Sequence, residues 1–267
     1  MTKHVAETTR HGPTKAAFVL DREQPVLTHR HDLPSAATIV PHSHPRGQLL
    51  WAEEGVLRVT TDQDVWIVPS SHAVWIPGGT THTLVTQTPA RTRNLYVDPH
   101  YTPRARDEGC IVLMLSPLMR ELILRLSSPA CTKQSEQRRR LGLVAIDEIG
   151  ALAPVGWRLP AGQDSRLRKL VAQLVRRPSD PQTLEELARR AGTGLRTIER
   201  LFRAETGMTF RQWRSRLRLL GSLELLRQGH SSTTIAYSLG YRGVSAFVAA
   251  FHQQFGCPPQ QFLARHD

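Results

Sequence analysis

Cysteine, lysine and long apolar runs are all scarce in this chain of 267 residues. Its three cysteines, Cys110, Cys131 and Cys257, are far apart and form no CxxC pair, which argues against a disulfide framework and a cysteine-ligated zinc site. They read as reduced packing residues. The N-terminus, MTKHVAETTRHG, lacks the apolar stretch of a secretory signal, and no apolar run approaches the length of a bilayer span. The expectation is a cytoplasmic protein with a short disordered start and no membrane partner. With so little lysine, almost all the positive charge is arginine, which suits planar bidentate partners.

What is present is unevenly distributed. A hydrophobic content of 40% allows two modest cores, the usual arrangement at this length. The 35 Lys+Arg against 23 Asp+Glu leave a net +12, of which residues 165–267 hold +10 and residues 1–164 only +2. A compact basic domain draws in polyanions by neutralising phosphates and releasing counterions, so nucleic acid and an anionic membrane surface are the two candidates.

Thr183 followed by Glu186 predicts a capping box, after which Leu187, Ala188 and Ala191 share one helical face. Gly192-Thr193-Gly194 turns the chain into a second helix with Ile198, Leu201 and Phe202 inward, and two helices joined by so short a glycine turn form a helix-turn-helix. The design recurs. Leu187-Ala188-x-x-x-Gly192 returns as Ile235-Ala236-x-x-x-Gly240, and Phe202-x-x-x-x-Gly207 returns as Phe251-x-x-x-x-Gly256, an internal duplication with one inserted residue. Between the copies, Trp213, Leu217, Leu220, Leu223 and Leu226 predict one long connecting helix dense in arginine (Arg211, Arg214, Arg216, Arg218, Arg227). The apolar residues are used up in these cores, leaving no broad apolar face for a membrane.

The runs TLEELARRAGTGLRTIERLFRAETGMTFRQWRSRLRL and ELLRQGHSSTTIAYSLGYRGVSAFVAAFHQQFGCPPQQF resemble the AraC/XylS family over roughly residues 166 to 264. The resemblance implies a recognition helix in the major groove from each unit. The first would be Gly194 to Glu205, with Arg196, Glu199 and Arg200 facing the bases and Thr197 and Arg203 beside them. Arginine pairs bidentately with guanine, and glutamate accepts from cytosine. Alternatively, Glu199 and Arg203 form a surface pair worth only about 0.3 kcal/mol. The second, Gly243 to Phe255, carries Val244, Ser245, Ala246 and Ala249 where long polar side chains are expected, with Arg242 ahead of it. The first unit is thus expected to read sequence, and the second to hold phosphates and thymine methyls.

Residues 36 to 97 change period, with short runs rich in Val, Ile, Trp and Thr between Gly, Pro and Asp, and predict a small antiparallel β-barrel. His42-x-His44 with Gln48 and Gly55, then Pro77-x-Gly79-x-x-His82, resembles the paired motifs of the cupin barrel. That resemblance implies a metal at His42, His44 and His82, but Gln48 stands where the carboxylate belongs and Ser71 where a glycine opens the second motif. Three imidazoles suit Zn, Fe, Ni or Cu. The competing reading is that they hydrogen-bond an organic effector or one another. Gln48, Trp51, Trp66 and Trp75 are the expected effector-binding residues at the barrel mouth, although alternation does not say which tryptophans point inward. His29-x-His31, beside Asp32, reads as surface polarity in an irregular segment.

Two further helical stripes, Leu118, Leu122, Leu126 and Leu141, Val144, Ile146, Ile149, predict helices that dimerise or pack on the barrel. The Pro- and Gly-rich stretch from Ala153 reads as a linker. The expected plan is an α+β, two-domain chain: 1–30 flexible, 31–110 a cupin-like sensor barrel, 111–152 helical, 153–165 linker, and 166–267 an all-α DNA-binding domain with helix-turn-helix units at about 183–205 and 232–255. The run HSHPRGQLLWAEEGVLRV is also similar to a single-cupin subgroup that includes NimR-type repressors of drug-efflux genes. Together these imply a sequence-specific regulator, not an enzyme. It would bind double-stranded DNA and a small-molecule or metal effector, form a homodimer, and contact RNA polymerase if an activator. The rival is a metal-dependent cupin enzyme with an accessory helical domain.

Overall fold

The computed structural model describes residues 9–107, 109–129 and 135–266; residues 1–8 and Cys131 lie outside them. In chain order the elements are β1 (Arg10–His11), a single 3-10 turn (Lys15–Ala17), β2 (Val26–Leu33), β3 (Thr38–His42), β4 (Gly47–Glu54), β5 (Leu57–Thr60), β6 (Asp64–Val68), β7 (His72–Ile76), β8 (His82–Thr86), β9 (Ala90–Val97) and β10 (Ile111–Met114). They continue with α1 (Pro117–Ser127), α2 (Ser135–Ala151), β11 (Pro154–Val155), β12 (Arg158–Pro160), α3 (Ser165–Arg176), α4 (Leu184–Arg190), α5 (Leu195–Thr206), α6 (Phe210–Arg227), α7 (Ser232–Ser238), α8 (Val244–Phe255) and α9 (Pro259–His266). The chain divides into two units, residues 1–61 with 68–157, and residues 62–67 with 158–267.

In the first unit the strands form two facing sheets. One runs β11-β10-β7-β4-β9-β2; the other contains β1-β3-β8-β5, with β1 and β3 parallel. They do not close into the expected barrel. Their edge strands β1 and β2 lie in different sheets, and the connection between them carries Pro13 and Pro25, which have no N–H for a ladder. Strand β2 occupies the segment expected to be irregular. Its period-2 pattern is hidden because His29 and His31 take two of its inward positions.

Alternation along β4 sorts the middle layer. Leu49 and Trp51 join Trp75, Leu95 and Val97 in a core closed by Met119, Leu122, Ile123 and Leu126 of α1 and by Ala145, Ile146 and Ile149 of α2. Gly47 is required here, because the Trp75 indole occupies the place of its Cβ. Helices α1 and α2 therefore pack on their own sheet, but the buried stripe excludes Leu118 and Val144, which are 51% and 44% exposed. Burial of this face stabilises the unit by about 25 cal/mol per Å² of apolar surface removed from water. The expected linker holds β11 and β12, short strands that tolerate Pro154 and Pro160 because edge positions need few donors.

The second unit is helical apart from the antiparallel pair β6 and β12. Thr183 and Glu186 form the predicted capping box of α4, and Thr209 with Gln212 forms a second at α6. The duplication is visible in three dimensions: Phe202 and Phe251 are fully buried, and α5 and α8 both end at a left-handed glycine, Gly207 (φ 69°) and Gly256 (φ 74°). Trp213 is also fully buried and donates Nε1–H to Pro160 O at 2.9 Å.

Candidate effector cavity and DNA-binding surface

A cavity open to solvent lies between the two sheets of the first unit. Strand β2 supplies His29 and His31, β9 supplies Thr92, Asn94 and Tyr96, and β4 supplies Gln48 and Leu50; each set shares one face because strand side chains alternate. The opposite sheet contributes His42 and His82, and the loop after β1 contributes Gly12 to Thr14. No Asp, Glu, Lys or Arg is among the lining residues.

His42, His44 and His82 come together as the sequence predicts, with one ring nitrogen from each within 4.8 Å of the others. Backbone carbonyls orient all three: Nδ1 of His42 donates to Val40 O (2.7 Å), that of His44 to Arg46 O (2.7 Å), and that of His82 to Thr80 O (2.9 Å). Nε2 of His42 and His82 is left free to accept a proton donor or bind a cation. Nε2 of His44 sits 3.0 Å from Gln48 Oε1, and Gln48 Nε2 donates to Asn94 Oδ1 at 2.8 Å. These residues fit a borderline divalent ion, because imidazoles held at Nδ1 are the usual ligand arrangement. Gln48 is a neutral partner already engaged on both sides, and a metal at His44 Nε2 displaces it.

Electrostatically, burial holds the imidazoles of His42 and His82 uncharged near neutral pH. Burial pushes the His82 pKa down to about 4, with the neighbouring His42 and His44 adding repulsion against the charged form. His42 is lowered by burial and by His44. His29 is lowered by burial and His31, and His31 by burial and His11, whose ring centroid is 4.9 Å away. Burial raises the Tyr96 phenol.

Of the expected effector-binding residues, only Gln48 lines the cavity. Trp51 and Trp75 belong to the opposite face of the sheet, and Trp51 donates to Ser70 O at 2.7 Å. Trp66 is buried on β6 and is not among the lining residues. The reason is parity: Gln48 and Leu50 face the cavity, so Trp51 cannot. Sequence reasoning missed His29, His31, Thr92, Asn94 and Tyr96; the i, i+2, i+4 spacing of the last three was the available signal. It also missed Arg46, which is fully buried and donates to Val19 O, to Gln24 O (3.1 Å) and to Tyr96 O (3.0 Å) while pairing with Asp98 at 3.2 Å. Arg46 thereby fastens the segment around residues 19–25, which follows the cavity loop.

In the second unit, α5 buries Ile198, Leu201 and Phe202, which turns Arg196, Glu199, Arg200 and Arg203 to solvent; Thr197 is half-buried. On α8, Phe247 and Phe251 point inward, while Ser245, Ala246 and Ala249 are exposed and Val244 is half-buried; Arg242 is exposed just before the helix. Glu199 and Arg203 form no ion pair within 4.0 Å, so Glu199 is not committed to the surface pairing weighed from the sequence. Both helices start at a glycine without a side-chain cap, Gly194 and Gly243, whereas α4, α6 and α7 are capped by Thr183, Thr209 and Ser231. Among the described residues no helix is long and apolar enough to cross a membrane.

Comparison with known proteins agrees with this layout. The AraC-like ligand binding domain family matches residues 25–142, and a helix-turn-helix domain family matches residues 187–265. The HTH-type transcriptional regulator NimR of Escherichia coli (strain K12) is 33% identical over 225 residues, 84% of this chain and 82% of that protein. The HTH-type transcriptional regulator RipA of Corynebacterium glutamicum is 35% identical over 105 residues, 39% of this chain and 31% of that protein. Among solved structures, fatty-acid-bound ToxT from Vibrio cholerae aligns over 89% of this chain and 94% of its own at 14% identity and a TM-score of 0.37. The chain belongs to the AraC family of transcriptional regulators, in which a helix-turn-helix DNA-binding domain is joined to a ligand-binding domain, and it is a regulator rather than an enzyme.

Proposed function

We propose that the cavity between the two sheets is the effector site, and that α5 reads operator sequence while α8 acts mainly as a clamp. The observation that carries the second part is the contrast in exposed side chains: Arg196, Glu199, Arg200 and Arg203 on α5 against Ser245, Ala246 and Ala249 on α8. Bidentate arginine contacts to guanine discriminate bases, whereas small side chains touch thymine methyls and phosphates. The uncharged, hydrogen-bonding lining of the cavity suits a small polar effector or a divalent ion held by His42, His44 and His82. A bound ion would leave coordination positions open for an exogenous ligand.

On this reading the protein acts in the cytoplasm as a homodimer, and effector binding shifts the population between DNA-binding states, as repressor of an efflux or catabolic gene or as an activator that contacts RNA polymerase. The exposed Leu118 and Val144 on α1 and α2 support the dimer surface. The test is genome-wide footprinting with Arg196→Ala and Arg200→Ala. Each substitution should cost about 1–3 kcal/mol at specific sites and relax base preference at one position. Site occupancy that survives both substitutions refutes the assignment.

A further inference from the structure

The arginines of α6 are candidates for phosphate contacts by charge alone, yet two of them are spent inside the protein. Arg214 and Arg218 are one helical turn apart and both half-buried. Arg214 donates to Gln182 O at 2.9 Å, just ahead of α4, and its guanidinium lies 5.5 Å from the Phe210 ring centroid. Arg218 reaches two places at once. Its Nε donates to Pro178 O at 3.0 Å, in the turn that precedes the first helix-turn-helix, and its Nη1 donates to Gly240 O at 3.2 Å, in the turn between α7 and α8. Gly240 has φ 73°, and a Cβ there would sit 3.3 Å from the Arg218 guanidinium, so the second turn lies directly against that side chain.

We infer that Arg218 sets the distance and rotational phase at which α5 and α8 are presented, and so the spacing between the two sequence boxes that the protein accepts. The inference rests on the proposed contact of both helices with DNA. Helix α6 is an 18-residue rod, roughly 27 Å long, that separates the two helix-turn-helix motifs but leaves the rotation of each about it to the side chains that fasten them. A guanidinium offers donors in a rigid planar fork, and fastening two turns to one fork fixes that rotation. Moving one box by a single base pair displaces it by about 3.4 Å and turns it by about 35°. A rigid pair of helices cannot follow such a move; a loosened pair can.

The experiment uses full-length protein and an operator selected by it from random DNA, with one base pair inserted or deleted between the two boxes. Wild type is expected to lose about tenfold in affinity on either change, comparable to losing one good base contact. Arg218→Met keeps the aliphatic packing and removes both hydrogen bonds; its penalty for the shifted operators should fall below about threefold, even though its affinity for the original operator drops. Arg218→Lys keeps one donor and should lie between the two, and it carries the test if the methionine variant does not fold by circular dichroism. A purely structural role would weaken binding to every spacing equally. A folded Arg218 variant that keeps the full wild-type penalty overturns the inference and leaves the two-helix reading intact. A wild-type protein indifferent to the shift overturns both.

Discussion

Arg46 makes the sharpest test of how the first unit is held together. Its guanidinium is fully buried, donates to the carbonyls of Val19, Gln24 and Tyr96, and faces Asp98, which is itself only 4% exposed. Burial lowers the arginine's pKa, and Asp98 and then Asp21 oppose that shift, which is the balance expected of a desolvated but paired charge. In Arg46→Met the carbonyls lose their donors and Asp98 keeps only the N–H groups of Asp21 and His100. Breaking one partner of a buried pair costs about 3–5 kcal/mol. For a unit of this size that lowers its Tm by roughly 6–20 °C, and differential scanning calorimetry reads the shift directly. Trypsin cleavage after Arg22 should accelerate in parallel, because the segment at 19–25 loses its anchor. The double variant Arg46→Met with Asp98→Leu should be more stable than Arg46→Met alone, since no charge is left buried without a partner. A loss below about 1 kcal/mol for Arg46→Met, or a double variant less stable than the single, refutes this account.

Three more tests follow from the cavity and the helices beside it. The His82 pKa falls from the usual 6.5 to about 4 in the folded state, so the unfolded chain takes up a proton that the folded chain refuses. The associated stability is fully present above about pH 6.5 and is lost as pH falls toward 4, by about 3 kcal/mol, with His29, His31 and His42 shifted in the same direction. His82→Gln should flatten the urea midpoint between pH 4.5 and 7, and an unchanged slope would exclude His82 as its source. Gln48→Glu restores a carboxylate beside the three histidines and should tighten Co²⁺ or Zn²⁺ binding by about 10–100-fold in competition titrations; no gain would mean that the imidazoles do not converge on a metal. Leu118→Glu with Val144→Glu should convert a dimer to a monomer in analytical ultracentrifugation, whereas a dimer that persists places the interface elsewhere.

How legible the molecule was in its sequence depended on whether a signal was local and periodic. The DNA-binding unit was nearly transparent: the capping box at Thr183, the repeated glycines and the buried Phe202 and Phe251 are short-range devices that act where they are written. Helices α3 and α9 were not separately foreseen, although Asp164 caps the first and Pro259 opens the second. The cavity was half visible. His42, His44 and His82 were found because two motifs fix them, but His29 and His31 read as surface because a strand that faces a polar cavity does not alternate apolar with polar. The tryptophans misled for the opposite reason, since large aromatic side chains suit a ligand pocket and a sheet–helix core equally well. Only the parity of β4, anchored by Gln48 and Leu50 on the cavity side, decides that Trp51 is core.

The same distinction bears on the two helix-turn-helix units. Sequence shows that they are copies, because the core positions recur. It does not show how they are oriented, because the side chain that joins their turns, Arg218, sits among arginines whose composition suggests DNA contact. Its two carbonyl partners are 40 and 22 residues away along the chain. An arginine committed to backbone carbonyls is lost as a phosphate contact, so part of the +10 on this domain serves internal geometry. Substituting Arg218 should therefore leave the salt dependence of DNA binding nearly unchanged, whereas removing a phosphate-contacting arginine should reduce its slope by about 1. A comparable fall in slope on replacing Arg218 would place that side chain on the DNA instead.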